Sequence, residues 1–198
     1  MEITEHSLNS KYDFIQGYYL NNDLISDEVI NHFNTQQNKT AGRSGAGFTI
    51  DKTIKDSLDL PIHLKEIQFY PAIVNYCDAL KKCLKMYWTK YPMCYEKTGA
   101  WHMTEPINIQ KYKPTQGYHS WHCERSNLSS TTRHLVFMTY LNSIKEGGET
   151  AWYHQKLKVK PEKGLTVIWP VDWTFTHKGY TTINEDKYII TGWYNFTT

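Results

Sequence analysis

The hydrophobic positions in the first half of the chain follow the period of an α-helix. Apolar side chains recur at steps of three and four residues after Pro71, at Ile73, Cys77, Leu80, Leu84 and Tyr87. Pro71 suits the first turn of a helix, and the pair Tyr91-Pro92 suits its end. The sequence therefore predicts a long helix from Pro71 to this stop, with its apolar stripe packed on a core.

A shorter helix is predicted upstream. Ser26 has the side chain of a helix N-cap, and Asp27 and Glu28 would place acids in the first turn of a helix that runs through Phe33. Residues 34–48 are polar and rich in glycine, which predicts a loop.

After about residue 99 the pattern changes to that of β-strands. Segments rich in Ile, Val, Thr and aromatic residues lie around Ile107–Tyr112, His134–Leu141, Leu165–Trp169 and Tyr188–Phe196. Such a run, with no helix between the strands, predicts an antiparallel barrel or sandwich covered by the N-terminal helices. We expect one α+β domain over 1–198, mainly β, with a helical support region over about 1–98 and a β core over about 99–198.

Composition and charge argue against several classes of protein. A net charge of +2 with dispersed acids and bases is unlike a nucleic-acid footprint or a polybasic membrane patch. No apolar run reaches the ~18 residues of a membrane span, and the N-terminus lacks the pattern of a secretory signal. The four cysteines have no framework spacing, which favours free thiols. We expect a soluble cytoplasmic protein with no nucleic-acid or membrane partner.

Candidate chemistry begins in GYHSWHCER, residues 117–125, where His122 precedes Glu124 by two positions. On a strand, alternate side chains share a face, so this pair would bring an imidazole and a carboxylate to one point while Cys123 faces away. A third ligand is then required. His134 and His154 are better explained as ordinary core or surface residues.

His177 is the stronger candidate for the third ligand. A turn over 183–186 leads into the last strand, and a hairpin there would set the His177 strand beside it. One face of that last strand carries Lys187, Ile189, Thr191 and Trp193. A lysine on such a face is costly without an anionic partner, which indicates an acid bound inside the barrel. Two histidines and one carboxylate are the ligand set of non-haem Fe(II) oxygenases.

These motifs resemble those of the 2-oxoglutarate and Fe(II)-dependent oxygenases, in particular the prolyl 4-hydroxylases. The family's His-x-Asp/Glu matches His122 and Glu124, its distal histidine matches His177, and the basic residue that follows matches Lys187. The family's Tyr-Leu-Asn motif is found at 140–142, and its Gly-Gly-Glu-Thr-x-aromatic motif is found at 147–152. The resemblance covers roughly residues 105–196.

The resemblance implies a fold and a reaction. The fold is a double-stranded β-helix, or jelly-roll, core with N-terminal helices packed against it. The reaction is hydroxylation by O2 with conversion of 2-oxoglutarate to succinate and CO2. Because Glu124 retains an acid, no ligand position is freed for a halide, which favours hydroxylation over halogenation.

The resemblance also assigns roles to residues. The ligands of Fe(II) would be His122, Glu124 and His177, and no further catalytic residue is implied. The residues that would bind 2-oxoglutarate are Lys187, Tyr140, Tyr112, Thr191 and Trp193. Ascorbate is a further cofactor that the resemblance allows. His119, Tyr118, Arg125 and the tryptophans outside this set receive no role.

The substrate is left open between two classes. A prolyl residue in a peptide or protein is the first expectation, and a free amino acid or another small molecule is the second. A zinc deaminase is disfavoured because no cysteine pair follows the His-x-Glu motif. The alternative outside enzymes is a β-helix binding module that has lost its iron.

Overall fold

Two antiparallel β-sheets and two long helices make up the fold. The computed structural model describes residues 2–45 and 49–197, so residues 46–48 at the end of the predicted loop lie outside the described residues. The protein is mainly β, as the sequence predicts. Of the helices that the structure describes, none combines the length and the apolar character needed to cross a membrane.

The regular elements are numbered in chain order. The helices are α1 (Asp23–Thr35), α2 (Pro71–Lys90) and the short α3 (Met93–Glu96). The strands of the first half are β1 (Thr4–Glu5), β2 (Gln16–Tyr19), β3 (Thr40–Ala41) and β4 (Leu58–Ile62). The strands of the second half are β5 (Trp101–His102), β6 (Ile107–Tyr112), β7 (Tyr118–His122), β8 (Arg133–Tyr140), β9 (Thr150–Trp152), β10 (Leu157–Val159), β11 (Leu165–Pro170), β12 (His177–Gly179) and β13 (Lys187–Phe196).

The larger sheet has the strand order β1-β2-β11-β8-β13-β6-β4-β3, with β5 paired to β13, and the smaller has the order β10-β9-β12-β7. The first half of the chain thus contributes strands to the larger sheet as well as helices. These strands have two to five residues each, too short for a clear alternating pattern.

Side-chain alternation divides the core into two layers. One face of the larger sheet packs with the helices, and Ile190 and Tyr194 of β13 share a buried cluster there with Leu80 of α2. On the other face, Ile189 shares a second cluster with Trp152 of the smaller sheet. The faces predicted for the last strand are confirmed, and the second layer lies between the two sheets.

The helix predictions were right for α2 and partly wrong for α1. All five residues of the predicted α2 stripe are buried, and Pro71 occupies the first turn. Helix α1 starts earlier than predicted, because Asn22 is the N-cap and its side chain accepts a hydrogen bond from the Leu24 N–H. Ser26 lies inside the helix and is buried there, together with Ile25 and Val29.

The predicted hairpin over 183–186 was wrong. Strand β12 pairs with β7 and β9 in the smaller sheet, whereas β13 pairs with β5, β6 and β8 in the larger one. The polar segment between them carries the chain from one sheet to the other, which a turn-rich sequence permits as readily as a hairpin. The strand expected to carry both His122 and Glu124 is also displaced, since β7 ends at His122 and Glu124 follows it.

The buried stripe of α2 should carry much of the stability of the fold. Leu80→Ala should lower the free energy of unfolding by about 2–5 kcal/mol, because it leaves a cavity between the helix and the larger sheet. Lys85→Ala, on the exposed side of the same helix, should change it by no more than about 0.5 kcal/mol. Urea unfolding of both variants measures the difference, and equal effects would contradict this packing role.

Candidate metal centre and its cavity

His122, Glu124 and His177 converge at one end of the smaller sheet. One ligand atom from each can be chosen so that all three lie within 4.8 Å of one another. Oε1 of Glu124 lies 3.2 Å from Nε2 of His177 and 3.7 Å from Nε2 of His122. The two histidines are opposite each other across β7 and β12, and Glu124 follows in the bend after β7. The structure therefore brings together the three residues that the sequence selected as ligands.

Backbone carbonyls orient both imidazoles. Nδ1 of His122 lies 3.0 Å from the carbonyl oxygen of Ser120, and Nδ1 of His177 lies 3.0 Å from that of Phe175. A carbonyl only accepts, so each Nδ1 carries the hydrogen and donates it. Each Nε2 then keeps a lone pair directed toward Glu124, which is the arrangement found in metal-ligating histidines.

The charge states of the cluster suit a cation. Burial, and after it the proximity of His177, lowers the pKa of His122 to about 3, so this imidazole is neutral at pH 7. Burial acts to raise the pKa of Glu124, but the contacts with His177, His122 and Arg133 lower it to about 2. An ionised carboxylate beside a neutral imidazole is the form that binds a divalent metal.

Glu124 is held by donors from the larger sheet. Nε1 of Trp193 donates a hydrogen bond to Oε2 at 2.9 Å, and Nη1 of Arg133 donates to the Glu124 backbone carbonyl at 2.9 Å. The Arg133 guanidinium lies 3.6 Å from the centre of the Trp193 ring and forms a bidentate ion pair with Glu105 at 2.8 and 2.6 Å. These contacts engage Oε2 and leave Oε1 facing the histidines.

A second ion pair joins the two segments that carry Glu124 and His177. Nη2 of Arg125 donates to Oδ1 of Asp172 at 2.6 Å, and the Glu124 N–H donates to the Val171 carbonyl at 3.1 Å. Arg125 follows Glu124, while Asp172 precedes the turn that leads to His177. The pair therefore helps to fix the position of Glu124 relative to His177.

A cavity of about 540 Å³ adjoins the cluster, and Lys187 contributes to its wall. The Lys187 side chain is 3% exposed, and Nζ donates hydrogen bonds to the carbonyls of Gly148 at 3.0 Å and Tyr180 at 3.3 Å. Burial lowers its pKa to about 8, although the charge of Glu149 acts in the opposite direction. Within residues 2–45 and 49–197, no carboxylate forms an ion pair with this ammonium group.

Tyr112 and Thr191 also line the cavity. The Tyr112 ring centre lies 4.9 Å from Nζ of Lys187, and its hydroxyl donates to Oε1 of Gln110 at 2.6 Å. The Thr191 hydroxyl donates to the Phe137 carbonyl at 2.8 Å. Both residues therefore face the cavity that Lys187 lines, and their roles in binding 2-oxoglutarate stay predictions.

Tyr140 is buried behind the cavity wall. It is on the inner face of β8, but its hydroxyl donates to Oγ1 of Thr150 at 2.6 Å, and Thr150 rather than Tyr140 lines the cavity. Strand alternation predicts the face of a residue but not what the opposite sheet places over it. Thr150 was not predicted from the sequence, and the role of Tyr140 in binding 2-oxoglutarate stays a prediction.

Tyr118 also received no role from the sequence. Its ring stacks on that of His122, with centroids 3.6 Å apart and an interplanar angle of 12°. The signal was present, because Tyr118 lies four residues before His122 on one strand and so shares its face. The rejected histidines lie elsewhere: His134 contacts the Cys94 carbonyl at 3.0 Å, and His154 is exposed.

Comparison with known proteins agrees with this arrangement. Residues 107–195 match the family model described as the 2OG-Fe(II) oxygenase superfamily. This confirms the resemblance to 2-oxoglutarate and Fe(II)-dependent oxygenases over the segment that carries all three candidate ligands. No curated protein sequence matches the chain.

Among solved structures, several similar folds are prolyl hydroxylases. A viral collagen prolyl hydroxylase from Paramecium Bursaria Chlorella virus-1 has a TM-score of 0.68 and 17% identity, with 97% of this chain and 100% of that chain covered. A Pseudomonas putida prolyl-4-hydroxylase has a TM-score of 0.70 and 13% identity, with 96% of each chain covered. A prolyl hydroxylase from Trichoplax adhaerens, in complex with a hypoxia inducible factor peptide fragment, has a TM-score of 0.72 and 19% identity, covering 95% and 85%. At these identities the likeness shows a shared fold.

The cluster should bind one divalent transition metal ion. Anaerobic titration with Co(II), followed by its visible absorption, should show one equivalent bound by the wild-type protein, with binding strongly weakened in His177→Ala and Glu124→Ala because each loses a ligand. His154→Ala, which changes an exposed histidine, should bind Co(II) as the wild type does. Equal binding by all four proteins would place the metal elsewhere.

Proposed function

We propose that the protein is an Fe(II)- and 2-oxoglutarate-dependent dioxygenase that hydroxylates its substrate and releases succinate and CO2. One combination of features carries the proposal: the His122, Glu124 and His177 cluster shares a cavity with a buried lysine that lacks a carboxylate partner among the described residues. The residue types fit iron, because two imidazoles and one carboxylate are the ligand set of these oxygenases.

In this proposal different residues bind the metal, orient Glu124 and bind the co-substrate. His122, Glu124 and His177 hold Fe(II), which supplies the oxidising chemistry with O2 when it is bound. Trp193 and Arg133 keep Oε1 of Glu124 directed at the metal position. Lys187 binds the distal carboxylate of 2-oxoglutarate, since a buried ammonium gains most from an anionic partner.

We also propose that the two antiparallel sheets, with the second core layer between them, form a jelly-roll core of the double-stranded β-helix type. We further propose that the whole chain is one domain. Helix α2 supports this core through the hydrogen bond between Tyr76 and Thr139 of β8, at 2.9 Å.

The proposed substrate is a prolyl residue in a peptide or protein. Support comes from the three similar structures, which are prolyl hydroxylases, and one of them is described in complex with a peptide. The inactive binding module is less well supported. The cluster of His122, Glu124 and His177 is complete, and the buried Lys187 remains in the cavity wall to bind an anion.

Lys187→Ala should separate co-substrate binding from metal binding. The variant should need roughly ten to a hundred times more 2-oxoglutarate for half-maximal succinate formation, because a hydrogen bond between charged groups is lost. Co(II) binding should change little. The measurement is succinate formation together with a gain of one oxygen in the product, by mass spectrometry.

Lys178→Ala is the matched control for this variant. Lys178 lies next to His177 on β12 but places its ammonium 4.8 Å from the Trp121 ring centre, outside the cavity. The control should keep the wild-type dependence on 2-oxoglutarate. An unchanged dependence in Lys187→Ala would refute the role of this lysine, and an absence of succinate from the wild type would refute the proposed function.

The low pKa of Lys187 predicts a pH dependence. A lysine is charged below its pKa, so raising the pH above about 8 should neutralise Lys187 in the free enzyme and weaken 2-oxoglutarate binding, approaching tenfold per pH unit. Lys187→Arg stays charged over this range and should show no such loss. The apparent 2-oxoglutarate requirement, measured from about pH 7 to 9.5, tests this, and parallel profiles for the two proteins would contradict it.

A further inference from the structure

A second polar cluster lines the cavity and has no part in the function proposed above. Lys55 and Asp59 are 4% and 5% exposed, and Nζ lies 2.6 Å from Oδ2. Oδ2 of Asp59 also accepts from Nδ2 of Asn108 at 2.9 Å, and Oδ1 accepts from Oγ of Ser57 at 2.7 Å. The carboxylate of Asp59 is therefore fully compensated.

The cluster lies beside the candidate metal centre. The backbone of Lys55 forms an antiparallel bridge with Tyr118, whose ring stacks on His122. Asn108 is on the inner face of β6 and opposite Thr191 of β13. A group held by this cluster would therefore occupy the same cavity as the metal-binding atoms.

Gly42 brings a covering segment close to this ion pair. A Cβ at Gly42 would lie 2.1 Å from Oγ of Ser57 and 3.1 Å from Cε of Lys55. The Gly42 N–H donates to the Ser57 carbonyl at 2.9 Å. Only glycine allows so close an approach, and Arg43 and Ser44, which follow it, extend the cavity wall.

The cluster has hydrogen-bonding capacity that the described chain does not use. Oδ1 of Asn108 is buried without a hydrogen-bond partner. The Lys55 ammonium has three N–H groups, and its one hydrogen-bond partner within the described ranges is Asp59. Lys55 and Asn108 both donate to Oδ2 of Asp59, so they are neighbours. The unpaired Oδ1 of Asn108 thus lies beside unpaired N–H groups of Lys55. Leaving buried polar groups unpaired destabilises the fold unless a ligand forms hydrogen bonds with them.

Electrostatics decides what kind of ligand suits the cluster. The cavity wall contains two buried lysines, and they differ in their partners. Lys187 has no carboxylate partner among the residues described and suits an anion. Lys55 is neutralised by Asp59, and a second carboxylate at this point would meet the repulsion of the first. A neutral group that both accepts and donates hydrogen bonds would bind there without such repulsion.

We propose that Lys55, Asp59 and Asn108 form a subsite for an uncharged secondary amide of the substrate. The amide carbonyl accepts from Nζ of Lys55, and the amide N–H donates to Oδ1 of Asn108. This inference rests on the proposed function and specifies its substrate: the hydroxylated residue is linked through amide bonds and does not carry the free ammonium and carboxylate groups of an amino acid.

Two substrate pools test the subsite. One contains capped tripeptides, acetyl-Ala-X-Ala-amide, with X being each common amino acid in turn, and the other contains the same amino acids in free form. Each is incubated with the wild-type protein, Fe(II), 2-oxoglutarate and O2, and mass spectrometry follows the gain of one oxygen. The capped pool should gain oxygen and the free pool should not.

Variants connect this result to the cluster. Asn108→Ala should lower kcat/KM for the modified tripeptide roughly five- to a hundredfold, because it removes one buried hydrogen-bond partner. Removing Lys55 alone would leave a buried charge unpaired, so the second variant combines Lys55→Met with Asp59→Leu, a replacement that folds commonly tolerate. It should show a loss of similar size. Co(II) binding by each variant checks that the fold and the ligand cluster are intact.

Lys52→Met is the matched control. Lys52 pairs with Asp56 at 3.8 Å with the same four-residue spacing, but it is exposed and lies outside the cavity wall. Its kcat/KM for the tripeptide should equal that of the wild type.

The outcomes separate this inference from the proposed function. Oxygen gain by the free pool alone, wild-type kcat/KM in both cluster variants, or 2-oxoglutarate consumption with no oxygen gain in either pool would overturn the amide subsite and leave the dioxygenase proposal standing. No conversion of 2-oxoglutarate to succinate under any condition would overturn both.

Discussion

The buried carboxylate of Glu124 is the group on which the rest of the site depends. A charge withdrawn from water is costly unless it is paired and hydrogen-bonded. The smaller sheet supplies His122 and His177 on one side of this carboxylate, and the larger sheet supplies Trp193 and Arg133 on the other. The site therefore exists only where the two sheets meet, and the core layer between them fixes the distance across it.

The polar groups of the cavity differ in how completely they are paired, and this difference determines which kind of ligand each group can bind. Glu124 has one oxygen engaged and one free for a cation. The Lys187 ammonium group donates hydrogen bonds only to backbone carbonyls among the described residues, so it suits an anion. The pair of Lys55 and Asp59 is internally neutral and suits a dipole. A metal ion, a keto-acid and an amide can thus be directed to different parts of one cavity without competition between like charges.

Several elements could be predicted because their signals are local. The stripe of α2 and the alternation of β13 each place side chains on a definite face, and the structure agrees with both. The errors concern choices that local sequence leaves open. Asn22 and Ser26 can both cap a helix. The helix begins after Asn22, and this earlier start buries Ile25 and Val29 in the core. The polar segment before Lys187 could form a hairpin or cross between sheets, and the pairing of β12 with β7 and β9 made it cross.

The sequence by itself determined the candidate ligands and their order along the chain, because the His-x-Glu motif, the distal histidine and the lysine that follows it can be recognised without the fold. It also determined which face of the last strand bears Lys187, since alternation is a property of the backbone. Only the tertiary structure decided that Thr150 covers Tyr140 and that Trp193 binds Glu124. It alone also placed Lys55 and Asp59, from a segment more than sixty residues before His122, in the same cavity wall. Those contacts join separate strands and sheets, and their geometry depends on pairing and packing that no local pattern encodes.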